Sequence, residues 1–229
     1  MVVDILMSLL SIPSPTYHET ALGEFIKAYL AEHTNISSMK SYGDSFIVSY
    51  IKDKNNPTVG LVGHLDVVPD FVEPFVEGDR IFGAGASDMQ AGLAAIIAFV
   101  CSHLDSLLTQ YNLQLVFYAK EERTALSDNG LFELIQQFKS DIQSIDCAIV
   151  AEPTDNKVQI GCVGSLHLNV KVYGQSCHSA RPWTGDHALY KALPLIEKMH
   201  SIEPVKTTLY GVDYYNVIDI TESHSEPGR

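Results

Sequence analysis

The stretch VGLVGHLDVVP at residues 59–69 decides the fold. Val59, Leu61 and Val62 around Gly60 form a short apolar run that stops at Gly63, His64 and Asp66, the pattern of a buried strand that delivers two polar side chains at its C-terminal end. In open α/β sheets, ligands bind in the crevice beyond the carboxyl ends of the strands. A His with an Asp two residues on reads there in two ways, as a satisfied strand-end histidine or as a metal ligand beside the carboxylate that orients it.

The same pattern recurs downstream. Residues 113–119 (LQLVFYA) are a buried strand ending in Lys120, Glu121 and Glu122, and residues 146–151 (DCAIVA) are another, ending in Glu152-Pro153-Thr154. Ahead of both, GAGASDMQAG at 83–92 precedes a helix at about 91–104. That small-residue run lacks the G-K-[ST] of a phosphate loop, which leaves Asp88 as either a helix cap or a ligand. Residues 128–138 also read as helical. Upstream, residues 1–33 form helical pieces broken at Pro13 and Pro15, with Leu22, Phe25, Ile26, Tyr29 and Leu30 at helix spacing, and these cover a sheet face. Residues 45–51 are strand-like, and the turn KDKNNP at 52–57 leads into the strand that opens at Thr58, which predicts two neighbours in one sheet. Residues 70–85 read as irregular. Strands alternating with helices predict an α/β fold, a mostly parallel sheet with helices on both faces and its polar strand ends along one edge.

From about Gly164 the character shifts. LHLNVKV at 166–172 alternates like a half-exposed strand, residues 186–199 read as an amphipathic helix, and residues 215–221 as a further strand. The division is therefore 1–163 and 164–229, the second part an incomplete α+β domain that begins βαβ.

A net charge of −13 argues against nucleic acid or an anionic membrane as partner, and it suits cation binding as well as it suits an ordinary acidic protein. The four cysteines show no C-x-x-C spacing, and Cys101 and Cys147 lie in apolar runs that predict buried free thiols in a reducing cytoplasm. The N-terminal MVVDILMSLLSIPSP carries Asp4 and no basic region, unlike a signal sequence, and the longest apolar run, 91–101, is too short to cross a bilayer.

His64, Asp88, Glu122 and Glu152 supply one imidazole and three carboxylates, with no thiolate. Such a set suits zinc, cobalt or manganese, and its wealth of carboxylates favours two ions sharing one carboxylate. Neighbours in extended backbone point to opposite sides, so the adjacent Glu121 and Glu122 can give one ligand and one free base.

VGHLDVVP, GAGASDMQAG, KEER and AEPT, in this order, resemble the M20 dinuclear metallopeptidases, the family that includes succinyl-diaminopimelate desuccinylase, acetylornithine deacetylase and the aminoacylases. The likeness runs from the N-terminus through GQSCHSARPWTGDHA at 174–188, which looks like the first half of that family's inserted lid or dimerisation domain. The resemblance implies a zinc-peptidase-like catalytic domain with His64 and Glu152 on one metal, Glu122 on the other, Asp88 bridging, Asp66 orienting His64 and Glu121 as general base. It implies two zinc ions per complete site, with cobalt or manganese as alternatives, and a homodimer in which His178 reaches the partner subunit's active site to polarise the scissile carbonyl. The implied substrate is a small N-acyl amino acid, N-succinyl-diaminopimelate of lysine biosynthesis first, N-acetylornithine second, and a peptide third. The rival expectation is a non-catalytic metal-binding or dimerising fragment.

Two departures stand out. Gln90-Ala91 replaces the family's Lys-Gly after Asp-Met, leaving Asp88 itself intact. The family's last histidine ligand, and the lid arginine and asparagine that grip the substrate carboxylate, have no counterparts in these 229 residues; His224, in a polar tail, reads as a solvated strand-end residue. The expectation is a C-terminally truncated chain that hydrolyses little by itself and holds about one zinc tightly, because a catalytic zinc needs about three protein ligands.

Overall fold

A computed structural model describes residues 1–68, 71–122, 124–164, 166, 168–220 and 223–224. The chain divides into two compact units, Met1–Asn156 and Lys157–Arg229; the sequence reading places its boundary seven residues later.

In the first unit the elements run α1 (Val2–Leu10), α2 (Thr20–His33), β1 (Ser38–Tyr42), β2 (Ser45–Tyr50), β3 (Thr58–His64), β4 (Phe75–Glu77), β5 (Arg80–Phe82), α3 (Gln90–Leu107), β6 (Asn112–Tyr118), α4 (Gly130–Gln137), α5 (Lys139–Gln143) and β7 (Cys147–Val150). Five strands form one sheet in the order β1-β2-β6-β3-β7. β3 is parallel to both β6 and β7, so these three strands end on the same edge; β2 runs antiparallel to its neighbours β1 and β6 and is the one strand of this sheet that runs against the others.

Alternation along the strands sorts the core into two faces. Phe46, Val48, Leu61, Leu115 and Phe117 pack with Leu9, Leu22, Ile26, Leu93 and Ile97 of α1, α2 and α3. Ile47, Val62, Val116 and Tyr118 face the other way, against Leu134 of α4 and the flanking Phe138 and Ile142. Helices therefore cover both faces, as expected. The Asn129 side chain caps α4, its Oδ1 accepting from the Leu131 and Phe132 amides. α3 runs to eighteen residues, longer than the apolar run read from sequence, and it is apolar enough by composition to span a membrane. Its fully buried Leu93, Ala94, Ile97 and Val100 identify it as a core helix of this unit.

Several expectations need correction. β2 and β3 are not neighbours, because β6 lies between them. The 52–57 loop wraps around the buried Asn112 at the start of β6, whose side chain accepts from the Lys52 amide and donates to the carbonyls of Asp53 and Asn56. That loop spans β6 rather than turning tightly beside it. β1 has no counterpart in the sequence reading: its residues, SMKSY, are all exposed and carry no apolar period. Its Lys40, paired with Asp141 at 2.7 Å, is a charge on the sheet edge of the kind that discourages edge-to-edge association. Part of the supposedly irregular 70–85 segment is the β4–β5 hairpin, with Phe75 stacked on Phe82; Asp70 lies outside the described residues. Cys101, on α3, is only partly buried, and Cys147 is exposed because among the described residues β7 is an edge strand paired with β3 alone.

α3 presses against the end of β7. A Cβ on Gly92 would run into the Ala151 carbonyl oxygen, one residue ahead of Glu152. Gly→Ala inside a helix ordinarily stabilises by about 1 kcal/mol. Here Gly92→Ala is expected to lower the melting temperature instead, overpacking a tight contact at a cost of about 1–3 kcal/mol. A thermal melt of the variant checks the sign, and an unchanged or raised Tm would remove this steric account.

The second unit contains a 3₁₀ turn (Pro182–Thr184), α6 (Ala188–His200), β8 (Val205–Leu209) and β9 (Val212–Asn216). β8 and β9 pair antiparallel around Tyr210 and Gly211, both at positive φ as the tightest hairpin turns require. α6 lies close to the helix read from sequence, but the two strands read around it differ; Thr221, the end of the second, lies outside the described residues. The described residues of 166–172 form no strand, and Leu166 and Leu168 stay about four-fifths exposed, since no described strand pairs with them; His167 lies outside the described residues. The strand read at 215–221 lies earlier, ending at Asn216, so the unit shows a helix followed by a hairpin in place of βαβ.

Candidate metal centre

His64 ends β3 and is 1% exposed. Its Nδ1 sits 2.8 Å from the Asp66 carbonyl oxygen and 3.6 Å from Asp66 Oδ1. With Nδ1–H donated to Asp66, Nε2 faces Asp88 Oδ1 at 3.1 Å and Glu152 Oε1 at 3.9 Å; protonated, it donates to these carboxylates, and on losing that proton it is the nitrogen open to a metal ion.

Asp88 reaches that position from the loop before α3. The helix N-cap is Met89, and Asp88 turns its carboxylate toward His64, which favours a ligand over a cap. The Asp88–Met89 peptide bond is cis. Met89 is fully buried, and its Sδ accepts from the His64 amide at 3.1 Å. Gly63 makes room for this: a Cβ there would sit 2.7 Å from Met89 Cε and 2.6 Å from Leu93 Cδ2.

Glu121 and Glu122 follow β6 through Lys120, a non-glycine residue at φ 59°. The buried Asp66 grips the turn, Oδ1 accepting from the Glu121 amide and Oδ2 from the Glu122 amide, both at 2.9 Å. Thr16 Oγ1 also donates to Oδ2 at 3.0 Å. Lys120 Nζ is tied to Glu133 at 2.8 Å. His64, Asp88 and Glu122 each place a ligand atom within 4.8 Å of the others, the only such group of three among the described residues. Glu152 joins from the end of β7, and Glu121 stands outside that group of three.

The structure thus brings His64, Asp66, Asp88, Glu121, Glu122 and Glu152 to one edge of the first unit. His178 belongs to the second unit, where it is exposed and its Nδ1 accepts from the Ala180 amide. Sequence reasoning missed Thr16, Glu19, Met89 and Tyr118. Of these, Tyr118 was within reach, because it is in register with His64 across β3 and β6 and its ring meets the imidazole edge-on.

The electrostatics describe a cluster short of positive charge. Burial works against a charged His64, but the hydrogen bond to Asp66, the charges of Glu152 and Asp66 and the contact with Asp88 outweigh it and push its pKa up to about 9. Burial raises Glu152 to about 7, with Asp88 and Glu121 adding repulsion against the attraction of His64. Burial also raises Glu121 and Glu122, reinforced by neighbouring carboxylates. Burial would raise Asp66 too, yet His64 and the two amides hold it below the usual range. Among the described residues, His64 is the ion-pair partner of Asp66, Asp88 and Glu152 alike. One imidazole facing several converging carboxylates is a donor set that a divalent cation fits.

Residues 60–218 match the profile of peptidase family M20/M25/M40, and the chain belongs to that family of hydrolases. It is 29% identical over 215 residues to the succinyl-diaminopimelate desuccinylase of Corynebacterium glutamicum, covering 93% of this chain and 58% of that protein. The chain thus spans a little over half the length of this curated relative. Among solved structures, a tripeptidase from Staphylococcus aureus shares the fold at a TM-score of 0.58 and 16% identity, over 91% of this chain and 61% of that one. A dinuclear metal-binding peptidase of the M20 family from Bacillus subtilis matches at a TM-score of 0.51 and 12% identity, over 65% of this chain and 41% of its own.

Proposed function

We propose that the chain carries the metal-binding centre of a cytoplasmic amidohydrolase that acts on a small N-acyl amino acid, N-succinyl-diaminopimelate ahead of N-acetylornithine. The observation that supports this most is the convergence of His64, Asp88, Glu122 and Glu152 at one strand edge, with Glu121 held beside them. The likeness to a desuccinylase supports the choice of substrate.

In this reading two zinc ions, or cobalt or manganese, would be held, one by His64 and Glu152 and the other by Glu122, with Asp88 available to both. Bound there, the ions supply Lewis-acid polarisation of the amide carbonyl and of the attacking water. The chain's own residues do the rest. Asp66 holds the His64 ring so that Nε2 faces outward. Glu121 takes the proton of the attacking water on its carboxylate and returns it to the leaving amine nitrogen. His178, supplied by the second subunit of a homodimer formed through the lid, donates to the oxyanion that develops on the carbonyl.

A second reading, a metal-binding or dimerising piece without turnover, draws on the single imidazole among the site residues. The full-length, metal-loaded protein separates the two when assayed on N-succinyl-diaminopimelate, N-acetylornithine and a dipeptide. The expected result is a kcat/KM highest for the succinylated substrate by about tenfold. A higher value for the dipeptide would make the protein a peptidase, and metal binding with no hydrolysis would favour the second reading.

A further inference from the structure

Residues 14–19 run along the strand-end edge before α2 begins. Ser14 Oγ donates to the Leu65 carbonyl, the Ser14 carbonyl accepts from the Val67 amide, and Pro15 bridges Val67 in parallel. Gln90 Nε2 donates to Ser14 Oγ at 3.2 Å, so the residue that replaces the family lysine ties the α3 end to this segment. The segment ends at Glu19, which is fully buried. Glu19 is the N-cap of α2, where a polar side chain ordinarily accepts from its own helix, yet it makes no such bond. Its Oε1 accepts instead from the amides of Tyr17 at 3.1 Å and Lys120 at 2.9 Å.

Both donors lie in left-handed backbone, Tyr17 at φ 73° and Lys120 at φ 59°. Non-glycine residues stay there only where their surroundings impose it. Lys120 immediately precedes Glu121 and Glu122, and the three consecutive amides are each held by a carboxylate, the first by Glu19 and the next two by Asp66. Two buried carboxylates therefore define the path of the backbone that carries both acidic site residues.

We propose that Glu19 is a positioning residue: by holding the Lys120 amide it fixes the left-handed turn that presents Glu121 and Glu122 to the metal site. The metal half of this inference rests on the function proposed above, and the backbone half does not. Burial raises the Glu19 carboxyl above the usual range, and its Oε2 has no hydrogen-bond partner among the described residues. Gln, which resembles the protonated acid in shape and keeps an acceptor oxygen, is therefore the conservative replacement.

The test compares Glu19→Gln, Glu19→Leu and Glu19→Asp in the full-length protein, with Leu30→Ala in the buried core of α2 as a control for lost stability. Amide hydrogen exchange at residues 120–122 is read without metal, and cobalt(II) affinity is read from visible absorption. Glu19→Leu, which removes the acceptor, is expected to speed exchange at these amides and weaken cobalt binding, each by about tenfold, as loss of a residue that supports metal ligands commonly does. Glu19→Asp, which draws the oxygen back by one methylene, is expected to move both in the same direction and keeps the test open should Glu19→Leu not fold. Glu19→Gln is expected to stay within about twofold of wild type on both, because it keeps the acceptor. Leu30→Ala, although less stable, is expected to keep wild-type cobalt affinity.

Wild-type exchange and affinity in both Glu19→Leu and Glu19→Asp would overturn the proposal. So would an equal loss of cobalt affinity in Leu30→Ala, which would mark the effect as global. If the wild-type protein binds no cobalt, the metal reading fails, and exchange at residues 120–122 still decides whether Glu19 holds the turn.

Discussion

Glu121→Gln in the full-length, metal-loaded protein is expected to lower kcat by about 10²–10⁴-fold while leaving the metal content unchanged, the range a positioned general base commonly supplies. Glu121 is held through its backbone amide by Asp66, so exchanging its carboxylate for a carboxamide leaves the turn in place. What is lost is the proton acceptor. Glu122→Gln is expected to act differently, because Glu122 shares the compact group with His64 and Asp88, and a neutral amide oxygen is a poorer ligand for zinc than a carboxylate. Metal-to-protein ratios by plasma mass spectrometry, measured beside kcat, separate the two roles. Equal metal loss in both variants would make Glu121 a ligand and end the division of labour between them.

The gathering of these residues at one sheet edge was legible in the sequence, for a physical reason. β3, β6 and β7 are apolar runs that break abruptly at His64, Lys120 and Glu152, and parallel strands joined by helices must place those breaks on one edge. Hydrophobic periodicity also marked α2, α3, α4 and α6, whose apolar stripes repeat every three or four residues. Strand order was a different matter. Nothing in residues 45–64 says that β6 enters between β2 and β3; the loop that spans β6 is tied to Asn112, a polar residue 56 to 60 positions downstream of its partners there. β1 is an exposed polar edge held by backbone pairing, and backbone pairing leaves no periodic trace. The opposite error occurred at 166–172, where alternation was present but no described strand pairs with it. Alternation is a necessary mark of a half-buried strand, and only a partner makes it sufficient. In the site itself, the charged residues announced themselves at strand ends. Thr16 and Glu19 did not, because their contacts cross 50 and 101 positions of sequence, and that of Glu19 is to a backbone amide that no residue pattern encodes.

The metal-free protein is expected to lose stability as pH rises from about 6.5 to about 9, and a bound divalent cation is expected to reverse that slope. His64 is the main cause. Its pKa stands at about 9 in the folded protein against an ordinary 6.5, so between these values the folded form keeps a proton that the unfolded chain has released. The stabilisation is complete below about pH 6.5 and lost as pH passes through about 9; some two and a half pH units at about 1.4 kcal/mol each amount to about 3 kcal/mol. Glu152 acts in the same direction at lower pH, since its pKa of about 7 lies above the ordinary 4.5 and its contribution fades between those values. It is partly exposed, and solvent screening makes it the smaller influence. Asp66 acts oppositely: its depressed pKa contributes stability above the ordinary carboxylate range that is lost only in acid. A cation at Nε2 requires the neutral imidazole, so binding must release the His64 proton. Zinc affinity should therefore rise with pH over the same interval in which the metal-free protein weakens. Calorimetric titration near pH 8 in buffers of different ionisation enthalpy should detect release of about one proton from His64, plus any fraction still held by Glu152. A melting temperature for the metal-free protein that stays flat from pH 6.5 to 9.5, together with zinc binding that releases no proton, would mean that His64 is neutral in the folded chain and that the carboxylates around it are balanced by another charge.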